Sequence, residues 1–167
     1  MKHLALALLA LSALSLPAGA SDDPELLFKK STVFRLLSPD AKLAVYAIDD
    51  PAVEGVACHF TLPEIGGWKG WAGFAEERSE TSVSCQQIGP ISFKRKIEQG
   101  EEAFRERRSL FFKKVQIVRG CDAKRNVLVY LIYSDRVIEG SPQNSTSSVP
   151  IKPWGDAPAP RCADFLE

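Results

Sequence analysis

Histidine and methionine are almost missing from this chain: 167 residues hold two of the first and one of the second. One histidine, His3, stands at the start, so His59 alone is left for the body. The four cysteines, Cys58, Cys85, Cys121 and Cys162, include no C-x-x-C pair and no set with zinc-finger spacing. A dithiol redox motif and a Cys/His metal site are therefore not expected. G-x-S-x-G, the P-loop and H-E-x-x-H are all absent, so neither a hydrolase elbow, a nucleotide cradle nor a zincin centre is indicated, and no cofactor or metal is expected. Charge of one sign is not in excess, with 21 Lys+Arg against 21 Asp+Glu. That balance gives no global attraction to nucleic acid or to an anionic membrane. The longest apolar run, Leu4 to Leu16, has thirteen residues, too few for a bilayer core of roughly 30 Å. The chain is not expected to span a membrane.

That short run has a context. Met1-Lys2-His3 precedes it, Pro17 breaks it, and Ala18-Gly19-Ala20 follows. A basic start, an apolar stretch and a small-x-small site form the pattern of a cleavable signal peptide over residues 1–20. Export leads to an oxidising compartment, where an even number of cysteines reads as two disulfides with three possible connectivities. The expected product is an exported envelope protein.

The body reads as β-rich. Thr32 to Leu37 is a possible first strand after a loose leader over residues 21–30. Lys42 to Ile48 is apolar on both alternating faces and reads as a strand buried on both sides, stopped by Asp49-Asp50-Pro51. Val56 to Leu62 is a third strand and Ser82 to Gln87 another, the latter followed by a Gly89-Pro90 turn. Ala75 to Glu80 and part of the charged stretch 91–109 read as short helical turns. Leu110 to Arg119 and Val127 to Tyr133 are rich in Val, Ile, Tyr and Phe and flank Asp122–Asn126, an antiparallel hairpin with a five-residue loop. From Gly140 onward Pro, Ser, Asn and Gly dominate. The expected organisation is a signal peptide over 1–20, one β domain over 21–140 and a Pro/Ser-rich tail over 141–167. The expected fold is mostly β, a single antiparallel β-sandwich or partly open barrel with one or two short helices.

Several stretches together resemble the CreA family of bacterial periplasmic proteins. They are Asp49-Asp50-Pro51, Gly66-Gly67-x-Lys69-Gly70, Ala75-Glu76-Glu77 and Ser84-Cys85-Gln86-Gln87-x-Gly89-Pro90-Ile91. Asp122-Ala123-Lys124-Arg125-Asn126 and Tyr133-Ser134-Asp135-x-Val137-x-Glu139-Gly140-Ser141-Pro142 continue the pattern. The resemblance covers roughly residues 31–154. It implies a periplasmic location and brings no established biochemical activity with it. It also implies a Cys58–Cys85 bond as part of the family framework, which leaves Cys121–Cys162 as a second bond that pins the tail.

Two local features are candidate sites. Gly66, Gly67, Trp68, Lys69, Gly70 and Trp71 crowd glycines and aromatic faces around one lysine, suited to stacking a sugar or clamping a cation. The competing reading is that the tryptophans plug one end of the core. Asp49, Asp50, Glu76 and Glu77 form a candidate polar cluster for acid/base work or a hard cation; the competing reading is a strand stop and a solvated turn. His59 alternates with Cys58, so an inward Cys58 turns it to the surface. No catalytic constellation stands out. A ligand-binding or interaction module of unknown partner is therefore the leading expectation. The alternatives are an envelope enzyme built on the clustered carboxylates and a structural or stress-response partner protein with no small ligand.

Overall fold

The structure is a computed structural model and describes residues 24–33, 41–65, 82–104, 115–134 and 143–167. Two four-stranded antiparallel sheets make up the architecture. The first is a meander of β1 (Glu25–Val33), β2 (Ala41–Asp49), β3 (Val53–Ile65) and β4 (Ser82–Phe93). The second repeats the plan with β5 (Glu101–Glu102), β6 (Val115–Asp122), β7 (Val127–Ser134) and β8 (Asn144–Pro150). A single 3-10 turn, Cys162–Phe165, is the only helical element among the described residues. This is the expected all-β, sandwich-like fold.

Period-two patterning explains the second sheet. In β6 the residues Val115, Ile117, Arg119 and Cys121 all face inward, and in β7 Leu128, Tyr130 and Ile132 do the same. They meet Val56, Cys58, Phe60, Val83, Cys85 and Ile91 from the first sheet in one core. Each fully buried aliphatic or aromatic side chain is worth about 1.5–3 kcal/mol over exposure. The hairpin closes at Asp122↔Val127. Asn126 adopts φ 55° in its loop, a left-handed conformation that asparagine tolerates better than most residues.

Several local expectations are corrected. The loose leader is instead β1 from Glu25 onward, paired with β2 through two register shifts. Leu26, Leu27 and Phe28 are 44–58% exposed, so ladder pairing rather than burial holds this strand. β2 is not buried on both faces: Ala44 and Ile48 point into the core while Leu43 is exposed. Gly89-Pro90 does not turn the chain, because β4 runs through it to Phe93. There Gly55 alone faces residues 88–91, between the pairs Glu54↔Ser92 and Val56↔Gln87. The bulge needs a glycine: Gly55 has φ 81°, and a Cβ on it would sit 2.3 Å from the Pro90 carbonyl oxygen. No helical turn exists in the described part of 91–109, which holds the end of β4, an isolated bridge at Ile97 and β5.

The expected tail contributes a strand, β8, with full pairing from Val127↔Pro150 to Tyr133↔Asn144. Beyond it the last residues dock on the core. Ile97 N–H donates to the Phe165 carbonyl at 2.8 Å, Glu167 N–H donates to the Ile97 carbonyl at 3.1 Å, and the Phe93 and Phe165 rings stack at 4.3 Å.

β4 and β8 meet along a seam with no backbone ladder between them. Side chains bridge it instead. The Ser147 hydroxyl accepts from Cys85 N–H at 2.8 Å, and the Gln87 carboxamide both accepts from Lys152 N–H at 3.0 Å and donates to the Lys152 carbonyl at 2.9 Å. Two other carboxamides serve in the same way. Gln99 clips the Cys121 peptide N–H and carbonyl at 2.7 and 2.9 Å. Asn126 accepts from Cys162 N–H and donates to the Pro160 carbonyl. Each satisfies backbone groups that would otherwise be orphaned near the core.

Candidate functional site

The two cysteine pairs are bonded as the resemblance implied. Cys58–Cys85 links directly paired residues of β3 and β4, and Cys121–Cys162 ties the end of β6 to the C-terminal 3-10 turn. Their sequence separations are 27 and 41. Loops of that size give roughly 3.5–4 kcal/mol of stabilisation each in the chain-entropy account.

A charged cluster lies between the sheets. Asp50 follows β2 and caps the turn into β3, its Oδ1 accepting from Ala52 N–H at 2.8 Å and Val53 N–H at 3.0 Å. Arg119 reaches it from β6, donating Nη1 to both Asp50 oxygens, and Tyr130 of β7 donates its hydroxyl to Asp50 Oδ2 at 2.6 Å. Arg119 Nη2 donates to Glu101 Oε1, and the other Glu101 oxygen accepts from Arg95 Nη1 at 2.9 Å. Asp50, Arg119 and Tyr130 are all buried. Burial alone would disfavour the Arg119 cation, but Asp50 beside it holds its pKa above the ordinary arginine value. Burial pushes the Tyr130 phenol well above its usual range, and the neighbouring Asp50 carboxylate adds to the shift. Glu101 is raised by partial burial, yet hydrogen bonds and charge from Arg95 and Arg119 outweigh this and leave it below the usual carboxylate value. One donor, Arg119 Nε, has no hydrogen-bond partner among the described residues.

This places half of the candidate carboxylate cluster. Asp49 is exposed at the end of β2, whereas Asp50 is buried and both its oxygens are already hydrogen-bonded. Glu76 and Glu77 lie outside the described residues, as do Gly66, Gly67, Trp68, Lys69, Gly70 and Trp71. His59 is half-buried between Ala47 and Ser84 on the face opposite Cys58. No group of three His, Cys, Asp or Glu side chains suited to a metal exists among the described residues.

Arg119 and Tyr130 were not singled out in the sequence, although a cue was present. V-x-I-x-R-x-C places a cation on the same face as three apolar residues, and a buried cation requires a buried anion.

A second concave feature lies on the surface at the seam. Residues 85–87, 148–150 and 152–154 line an open groove of about 350 Å³. Cys85 and Val149 form its buried floor. Trp154, 46% exposed, stands at its rim. A tight turn clamps that tryptophan: Trp154 and Ala157 exchange both backbone hydrogen bonds at 3.1 Å, with Gly155 at φ 57° between them. Gln86, Ser148 and Lys152 are exposed around the groove, with no side-chain hydrogen bond among the described residues.

These features define a class: an all-β, two-sheet domain braced by two disulfides, its sheets pinned by a buried ion cluster. The chain belongs to the CreA protein family, whose model matches residues 27–154. It is 50% identical over 127 residues to Protein CreA of Escherichia coli strain K12, covering 74% of this chain and 81% of that protein. Protein CreA of Escherichia coli O157:H7 matches with the same figures. No solved structure matches. No helix among the described residues is long and apolar enough to cross a membrane.

Proposed function

We propose that this CreA-family chain is exported to the periplasm, loses residues 1–20, and works there as a binding module whose binding face is the β4–β8 groove. The basic–apolar–small pattern of residues 1–20 supports export, as do two bonded cysteine pairs, which persist in an oxidising compartment. The groove carries the binding reading. It sets an exposed Trp154, its backbone held by a tight turn, beside three solvent-facing polar side chains over an apolar floor, and ligand sites share that combination of apolar wall and few polar groups. The carboxylate reading gains no comparable support, since Asp50 is enclosed by Arg119 and Tyr130.

Intact mass of protein taken from the periplasmic fraction tests the first half: the expected product starts at Ser21 and carries two disulfides. A thermal-shift screen of the oxidised protein against sugars, metals and cell-wall fragments, run beside Trp154→Ala, tests the second. Ligands that stabilise the parent and not the variant are expected; a screen whose hits are all indifferent to Trp154 refutes the assignment of the groove.

A further inference from the structure

Building on that binding reading, we infer that the β4–β8 groove takes an acidic sugar, a small uronic-acid glycan that sets one of its carboxylates beside Lys152. Four observations converge on this class. Trp154 offers a flat aromatic face at the rim, 46% exposed on a backbone held by a tight turn, which suits the apolar C–H face of a sugar ring. Gln86 and Ser148 offer an amide and a hydroxyl without side-chain partners among the described residues, able to donate to and accept from ring hydroxyls. Lys152 is the one charged residue among the described residues lining the groove. The groove volume of about 350 Å³ lies at the small-ligand end of the range for binding pockets.

The same residues disfavour other occupants. A peptide that adds as a strand needs a sheet edge with open backbone groups. Here the Cys85 N–H is taken by Ser147, and both the N–H and the carbonyl of Lys152 are taken by Gln87. A phosphate group gathers several donors, commonly arginine forks or the N–H groups of a helix start. Among the described residues the groove has neither an arginine nor a helix in its lining, and a lone ammonium suits one singly charged group such as a carboxylate better than a phosphate. Recognition therefore runs through side chains and one aromatic face.

The test is isothermal titration of the oxidised full-length mature protein with digalacturonate, galactobiose, adenosine monophosphate and a short acidic peptide. Digalacturonate is expected to bind best. Trp154→Ala should weaken it about tenfold or more, the equivalent of about 1.4 kcal/mol. Lys152→Gln should weaken it about three- to fivefold, in the range of an exposed ion pair, and remove its salt dependence while leaving galactobiose unchanged. Both positions are exposed, and an unchanged urea midpoint verifies that each variant has folded. Equal binding of galactobiose and digalacturonate overturns the acidic class, as does tighter, Trp154-dependent binding of the nucleotide or peptide; in each of those cases the groove remains a binding face. Digalacturonate binding that ignores Trp154 overturns the site. Absence of Trp154-dependent binding for every probe overturns this inference and the binding-module reading together.

Discussion

Asp50→Ala is the sharpest test of how the two sheets are held. The carboxylate is the shared acceptor for two backbone N–H groups, the Tyr130 hydroxyl and the Arg119 guanidinium. Removing it leaves a buried cation with Glu101 as its remaining anionic partner. It also orphans a phenol and two turn amides. Breaking a buried ion pair from one side costs about 3–5 kcal/mol, and each orphaned donor that water cannot reach adds about 1–3 kcal/mol. The expected loss is at least about 4 kcal/mol, read as a lowered urea midpoint with unchanged slope. At about 2–4 °C per kcal/mol for a chain of this size, the melting temperature should fall by roughly 10 °C. A double-mutant cycle with Arg119→Met separates pairing from burial, because that variant removes the stranded charge along with its partner. The double variant should be more stable than the sum of the two single losses allows. A loss under about 1 kcal/mol for Asp50→Ala, or strict additivity in the cycle, would refute the pinning of the sheets by this cluster.

Other outcomes follow from the same geometry. Glu101 has a lowered folded pKa, so the unfolded chain binds more protons as pH falls; its stabilisation is present above the ordinary value of 4.5 and lost below it as pH falls through the folded pKa, and Glu101→Gln should flatten that part of a stability-versus-pH curve. Tyr130 is shifted the opposite way, so its contribution is complete below pH 10 and lost as pH rises beyond it; Tyr130→Phe should blunt alkaline unfolding while costing about 1–3 kcal/mol near neutrality. Gly55→Ala forces a Cβ into the Pro90 carbonyl at a positive φ and should cost upwards of about 2 kcal/mol, measured by urea denaturation. Replacing Cys121 and Cys162 together by alanine should cost roughly 4 kcal/mol and raise amide exchange at Ile97 and Glu167, whose hydrogen bonds dock the C-terminal segment; unchanged exchange there would show that the docking needs no tether.

The legible parts of the sequence were those where one physical rule acted alone. β6 and β7 follow strict alternation because one face of each is core, and their hairpin could be read directly. β1 could not be placed, since ELLFKKSTV has no alternation and Leu26, Leu27 and Phe28 remain exposed. β8 was hidden by its composition: Asn144–Val149 is mostly serine and threonine, yet Val149 reaches the core and Ser147 substitutes for a backbone partner across the seam. Gly89-Pro90 has the composition of a turn, and the tertiary bulge opposite Gly55 overrides it. For the sites, the sequence groups Asp50 with Asp49, Glu76 and Glu77 and gives no sign of Arg119 and Tyr130. These partners are 69 and 80 residues away in sequence, and no local pattern connects them to Asp50. The groove depends on three separated segments, so Trp154 gave no cue of its role in a stretch that reads as a tail.

The arrangement of two consecutive meanders has a consequence for which disulfides form. Cys58 and Cys85 sit opposite one another in neighbouring strands of the first meander, which precedes Cys121 in the chain. Cys121 lies in the second meander and pairs with Cys162, 41 residues further on. Strand pairing within the first sheet brings two thiols together without any help from the second pair, and once these are bonded each remaining thiol has a single partner. The order of the strands thereby selects one of the three possible connectivities.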